Sequence, residues 1–230
     1  MEKQISGEKG KWAAWLPLLP AAAVVWGVAA AGGCAWQAFP ALLLGAGVCI
    51  LLPGCALLFA LRRLTRLPEG FDPPLTLLLG SGFFAALTCI CARFGLVWPL
   101  RAVPPAVALI GFFLFRADAR RTASALRQWR PRWGNALLLA VLLVLYALCW
   151  ETATAHPAVV GQTVLKQDFL WNIGNARSFW LGFPPQDIRF AGVRLHYHYL
   201  NELLAAGLSA ACGVSAYDLL GFAWPPAFPS

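Results

Sequence analysis

Charge is scarce in this chain, and so are histidine and methionine. Only 12% of the 230 residues are Asp, Glu, Lys or Arg, and there are three histidines and one methionine. That is about half the charged share of soluble domains, too little to cover a water-facing surface. The sequence has no repeat, Walker loop, GxSxG elbow or HExxH helix, so the usual signatures of soluble enzymes are absent. No CxxC pair occurs, and the seven cysteines lie almost all inside apolar runs. They read as small buried hydrophobes rather than as a disulfide or zinc framework.

What is abundant is apolar surface. Sixty per cent of the residues are hydrophobic and the mean hydropathy is +0.65, which describes an integral membrane protein. Several of the eleven tryptophans, among them Trp12, Trp15, Trp98, Trp133 and Trp150, stand at segment ends, where amphipathic rings rest at the headgroup level. The formal charge of +8 sits in short clusters between apolar runs, as membrane orientation requires, and not in a patch for nucleic acid.

In order, apolar runs cover Ala14 to Ala31, Ala41 to Leu61, Leu75 to Ala92, Val97 to Phe115, Asn135 to Trp150 and Leu200 to about Leu220. An all-α polytopic fold of about six spans is the expectation. Gly80-Ser81-Gly82 in the third run offers small residues for close helix approach. With a cytoplasmic N-terminus, the inner loops hold three, three and six Lys/Arg, against none, two and four outside. Twelve against six satisfies the positive-inside rule, placing the protein in the plasma membrane with loop 151–199 extracytoplasmic. The chain stops at Trp224-Pro225-Pro226-Ala227-Phe228-Pro229-Ser230 without a basic cap, which reads as the N-terminal part of a longer protein.

Between the apolar runs lies one long polar and aromatic segment, Lys166 to Leu200. If helical at its start, Asp168, Asn172 and Asn175 share a face at i, i+4 and i+7, while Trp171, Phe179 and Trp180 supply apolar surface. One or two amphipathic helices over Lys166 to Trp180 at the outer interface are expected, stopped by Pro184-Pro185.

The chemistry in this loop has two readings at each residue. Asp168, just outside a span, suits a general base or a ligand for a divalent cation, or a surface acid that caps a helix or pairs with Lys166. Arg177, Arg189 and Arg194 suit a phosphate, or are solvated loop charges. His196 and His198 alternate with Tyr197 and Tyr199, so in an extended run both face one way and make a metal pair with His156, Asp187 or Asp168. Asp187 after the diproline reads first as a turn residue or N-cap. Glu202, one turn into the sixth run, is costly in lipid unless paired or water-exposed.

The order Asp168, Asn172, Phe183-Pro184-Pro185-Gln186-Asp187, Phe190-Ala191-Gly192, Leu195 and Tyr197-His198-Tyr199-Leu200 resembles the first large external loop of C-type (GT-C) membrane glycosyltransferases. The resemblance spans about Trp150 to Cys212. It implies transfer of a sugar from a polyprenyl-phosphate carrier to a glycan or lipid acceptor on the outer face, with Asp168 catalytic, Asn172, Arg177, Arg189, Arg194 and His198 as substrate-binding candidates, and a divalent cation as the one cofactor to consider. In that family the acid follows the first helix and is often followed four residues later by His. Here four runs precede the fifth and Asn172 takes the His position, so residues 1–132 read as an added four-span module and 133–230 as the start of the core. A transporter or flippase of lipid-linked precursors would gather its polar groups at mid-membrane, and a non-catalytic assembly subunit would gather them nowhere; here they gather in the outer loop.

Overall fold

The computed structural model describes residues 18–31, 34–65, 72–128, 133–153, 167–190, 192–195 and 199–223, with backbone alone at 125–128, 146–153, 167–169 and 222–223. Its described residues are helical apart from loops and one isolated β-bridge, Gln186 to Arg194. The helices are α1 (Leu18–Ala31), α2 (Ala38–Thr65), α3 (Pro73–Phe94), α4 (Trp98–Leu114), α5 (Arg116–Gln128), α6 (Trp133–Ala153), α7 (Gln167–Ser178), α8 (Leu200–Cys212) and α9 (Ala216–Asp218), which a π-helical turn, Leu219–Ala223, continues. They form two compact units, one of Met1–Trp36 with Ala123–Lys166 and one of Gln37–Thr122 with Gln167–Ser230.

In the first unit α1 packs on α6. Neither helix has a polar face, and Leu19, Leu138 and Leu142 stay exposed, as expected where the solvent is lipid. The Trp26 indole N–H donates to Trp36 O at 2.8 Å and pins the turn after α1.

The second unit is built on an α2–α3–α4 bundle. By length and composition α2, with 28 residues, and α3, with 22, qualify as membrane spans; at 1.5 Å per residue they measure about 42 and 33 Å against a core of about 30 Å. α4 qualifies only together with the start of α5, from which it is bent by 94° at Phe115. The expected six continuous spans therefore become two, or three with this bent pair, and the described parts of the remaining apolar helices are shorter: Leu18–Ala31, Trp133–Leu145 and Leu200–Cys212. The sixth run changes most. Gly213, at φ 71°, takes the left-handed conformation that ends α8, and Ser215 starts α9 by accepting from Asp218 N at 3.0 Å.

Prolines and their consequences set the details. Asp72 caps α3 by accepting from Leu75 N, with Pro73 leading the helix where no donor is needed. Pro53 lacks an N–H for Cys49 O, and α2 widens into a π-helical turn at Gly47–Leu51 around that carbonyl. Pro104 likewise leaves Leu100 O without its helical donor, and the Cys49 thiol lies 4.0 Å from that oxygen. The buried hydroxyls of Thr76 and Thr88 bond back to Asp72 O and Phe84 O, each at 2.8 Å.

α2 and α3 meet backbone to backbone. A Cβ on Gly80 would fall on Ile50 O, and one on Gly54 would fall on Thr76 O. Within Gly80-Ser81-Gly82, only Gly80 makes the close approach, for a Cβ on Gly82 meets nothing within 4 Å. Gly80→Val is therefore expected to destabilise the protein by about 3 kcal/mol, in the upper range for overpacking, while Gly82→Val stays within about 0.5 kcal/mol. Thermal unfolding in detergent checks the pair, and equal losses at both positions would contradict this packing.

Candidate functional site

The polar segment lies on the end of the bundle where α3 stops and α4 starts. Arg93, in the last turn of α3, donates to Phe183 O at 3.5 Å, and Arg101, in the first turn of α4, donates to Ala210 O at 3.1 Å. Ala210 O is one of the last carbonyls of α8, where a cation also opposes the negative end of the helix dipole. α8 itself rests on α3 and α2: a Cβ on Gly207 would meet Thr88 and Phe84, and one on Gly45 would meet Cys212. Residues Glu202 to Leu208 of α8 are all buried.

α7 packs on α8, and Asn175 and Ala176 near its end and Phe179 just after it are all buried. The Phe179 ring meets those of Tyr199 at 5.4 Å and Phe183 at 6.4 Å, and the Trp180 indole N–H donates to Ala206 O at 3.3 Å. A helix does form in the expected segment, over Gln167–Ser178, but its polar side chains do not simply face water. Asn172 is half-buried and Asn175 is only 1% exposed, its Oδ1 finding no donor among the described residues. An orphaned buried acceptor is costly, and hydropathy patterning gives no hint of it.

After α7 the chain makes a short hairpin. Leu195 N donates to Pro185 O and Asp187 N to Val193 O, both at 2.9 Å, while Phe190 N closes the tip on Asp187 O at 3.1 Å. Asp187 is a turn residue. Its Oδ1 accepts from Arg189 N at 2.9 Å and Arg189 Nε at 3.1 Å, and its Oδ2 from Arg189 Nη2 at 2.8 Å. The Arg189 guanidinium lies 4.4 Å from the Trp171 ring centre and so clamps the hairpin to α7. Those Arg189 side-chain bonds, then its backbone N–H, with the Trp171 indole assisting, pull the Asp187 carboxyl down to about 2.

A cleft of about 340 Å³ opens between α7, α8 and α9. Ile173, Ala176, Trp180, Ala206 and Ala210 make its apolar walls, Tyr217 stands at one side, and Arg177 is the charged residue in its lining. Three expected phosphate ligands thus separate: Arg177 borders a cleft, Arg189 is bound to Asp187, and Arg194 is exposed on the returning arm of the hairpin. Asp168 lies in the first turn of α7, its side chain outside the described residues, as are His156, His196 and His198. Among the described residues no three His, Cys, Asp or Glu side chains come together to hold a metal. Comparison with family models, curated proteins and solved structures returns no match.

Arg101, inside the fourth apolar run, serves α8; Tyr217 was not anticipated at all. The signal for Tyr217 was present in Gly213-Val214-Ser215-Ala216-Tyr217-Asp218, a helix stop followed by Ser-x-x-Asp, which starts a new turn.

The hairpin's pH dependence follows from its ion pair. Because the folded Asp187 carboxyl titrates near 2, below its unfolded value, the contribution is fully present above about pH 4 and is lost as pH falls through about 2. Pepsin cleavage between residues 186 and 194 should accelerate steeply over that interval in the wild type. In Asp187→Asn it should be fast throughout and nearly independent of this titration.

Proposed function

We propose that the chain belongs to a polytopic membrane glycosyltransferase of the C type, moving a sugar from a polyprenyl-phosphate carrier to a glycan or lipid acceptor at the outer face of the membrane. The observation that carries this reading is the cleft beside Arg177, whose apolar walls suit an isoprenoid chain and whose single arginine suits its phosphate. Asp168 stands nine residues earlier on the same helix, about 14 Å along the axis, so donor phosphate and acceptor hydroxyl have separate ends of α7. In this reaction Asp168 takes the acceptor hydroxyl proton, the acceptor oxygen bonds to the anomeric carbon, and the carbon–oxygen bond to phosphate breaks. Arg177 holds the departing phosphate. Asp168 is also the acid that would hold a divalent cation, whose charge would favour the departing phosphate.

The orientation belongs to the same proposal. Arg63 pairs with Asp118 at 3.2 Å where α2 ends and α5 begins, while Arg93 and Arg101 serve the opposite end, with α7 and α8. The first of these ends carries Arg62, Arg63, Arg116, Arg120 and Arg121, against Arg93 and Arg101 at the second, an excess that supports a cytoplasmic first end and an outer site. α5, rich in arginine and turned 94° from α4 at its start, suits the inner membrane surface.

Transfer of radiolabelled sugar from polyprenyl-phosphate donors by the purified, reconstituted protein tests the reading. Asp168→Asn should lower turnover by about 10² to 10⁴-fold, the usual worth of a general base. Arg177→Gln should lower it clearly more than Arg189→Gln, whose partner is Asp187. Wild-type rates in Asp168→Asn would remove the catalytic assignment, and a wild type inert with every carrier would favour a transporter, flippase or assembly subunit.

A further inference from the structure

One apolar surface of the second unit plays no part in that chemistry. The tip of the 185–195 hairpin leaves Ile188, Phe190 and Val193 exposed at 49%, 57% and 48%. They lie within six residues of one another, beside an exposed arginine, Arg194, whose backbone bridges to Gln186. The tip's own acid, Asp187, is consumed by Arg189, which leaves a net positive charge next to the apolar side chains.

The tip is also braced, within itself and against α7. Four backbone bonds cross or close it, the Asp187–Arg189 pair braces it, and it is fastened to α7 twice: Arg189 over Trp171, and Ile188 against Gly174, where any Cβ would strike the Ile188 side chain. A surface held this way costs little further order when something docks on it.

We propose that this hairpin is an interfacial anchor whose partner is a bilayer surface containing anionic lipid: Phe190 and Val193 enter the boundary between headgroups and acyl chains, and Arg194 binds lipid phosphate. Two observations select a bilayer over a protein partner. The same unit contains two helices long and apolar enough to cross a membrane, and Arg93, in the last turn of one of them, bonds to Phe183 O just ahead of the hairpin, so its base stands where that apolar helix ends. Aromatic and aliphatic side chains flanked by arginine are the composition that partitions to this boundary. The inference rests on the unit being membrane-embedded and not on the transferase reaction.

The test places an environment-sensitive fluorescent amino acid, encoded by codon suppression, at Phe190 of the full chain, so that no native cysteine or tryptophan need be changed. The protein is reconstituted in vesicles of phosphatidylcholine alone or mixed with phosphatidylglycerol. Spin-labelled lipids carrying the quencher at the headgroup, at a shallow acyl position or at a deep one report depth, and aqueous iodide reports exposure. The expected result is strongest quenching from the shallow position and iodide quenching several-fold weaker than for the same probe at Gly182, a neighbouring exposed loop residue. Arg194→Gln should roughly halve the shallow quenching in vesicles with phosphatidylglycerol and leave it unchanged in phosphatidylcholine. A probe at Val193 repeats the measurement should the Phe190 variant fail to fold. Full iodide access with no lipid quenching at either position overturns the proposal, and so does quenching that is greatest from the deep position. Loss of sugar transfer with quenching intact would count against the transferase reading alone.

Discussion

The close approach of α2 and α3 is the contact on which the rest of the second unit depends. Two helices in lipid gain nothing from hiding apolar side chains from each other, since the solvent is as apolar as they are, so they associate where small residues let backbones touch. Gly54 and Gly80 supply that contact, with Thr76 O and Ile50 O as the surfaces met. The bundle end so formed is the platform for everything that follows. α8 settles into it through Gly207 and Gly45, α7 packs on α8 through Phe179 and Trp180, and the hairpin is fastened to α7 through Arg189. A clash at the first step would therefore travel outward through each layer to the cleft.

Prolines inside α2 and α4 endanger this platform, yet the structure turns them to use. Each removes one backbone donor and so frees a carbonyl that cannot find water within hydrocarbon. Around Pro53 the helix widens by a π turn, and near the carbonyl freed by Pro104 it places a thiol from the neighbouring helix. Cys49 takes part in both arrangements, as the carbonyl opposite Pro53 and as the thiol near Leu100 O. This gives at least one of the cysteines a task beyond filling space.

Much of the helical layout was legible in the sequence. The second, third and fourth apolar runs became α2, α3 and α4 with ends shifted by a few residues, because Asp72, Gly95 and the charged residues around Arg62 and Arg116 mark boundaries strongly. Lys166 to Trp180 also became a helix, stopping just short of the expected end. The last run failed because hydropathy is blind to a single left-handed residue: Gly213 divides a stretch whose composition is apolar on both sides. Burial of Asn175 was equally illegible, since a helix's polar stripe is assumed to face water until another helix covers it.

The arginines show where sequence reading reaches its limit. Arg177, Arg189 and Arg194 have the same chemistry and lie in the same segment, so composition ranks them equally as phosphate ligands. Geometry does not. A spacing of two residues across a turn brings Arg189 back onto Asp187, where both carboxylate oxygens and the backbone N–H are engaged together, and a guanidinium so occupied must give up a bidentate pair before it can bind anything else. Arg194 sits on the outer arm of the hairpin and meets whatever lies against that surface. Arg177, in the last turn of α7, borders an apolar cleft. One segment thus divides three equal charges among a structural clamp, a surface contact and a candidate ligand site, and what divides them is the pairing of Asp187 with one and not the others.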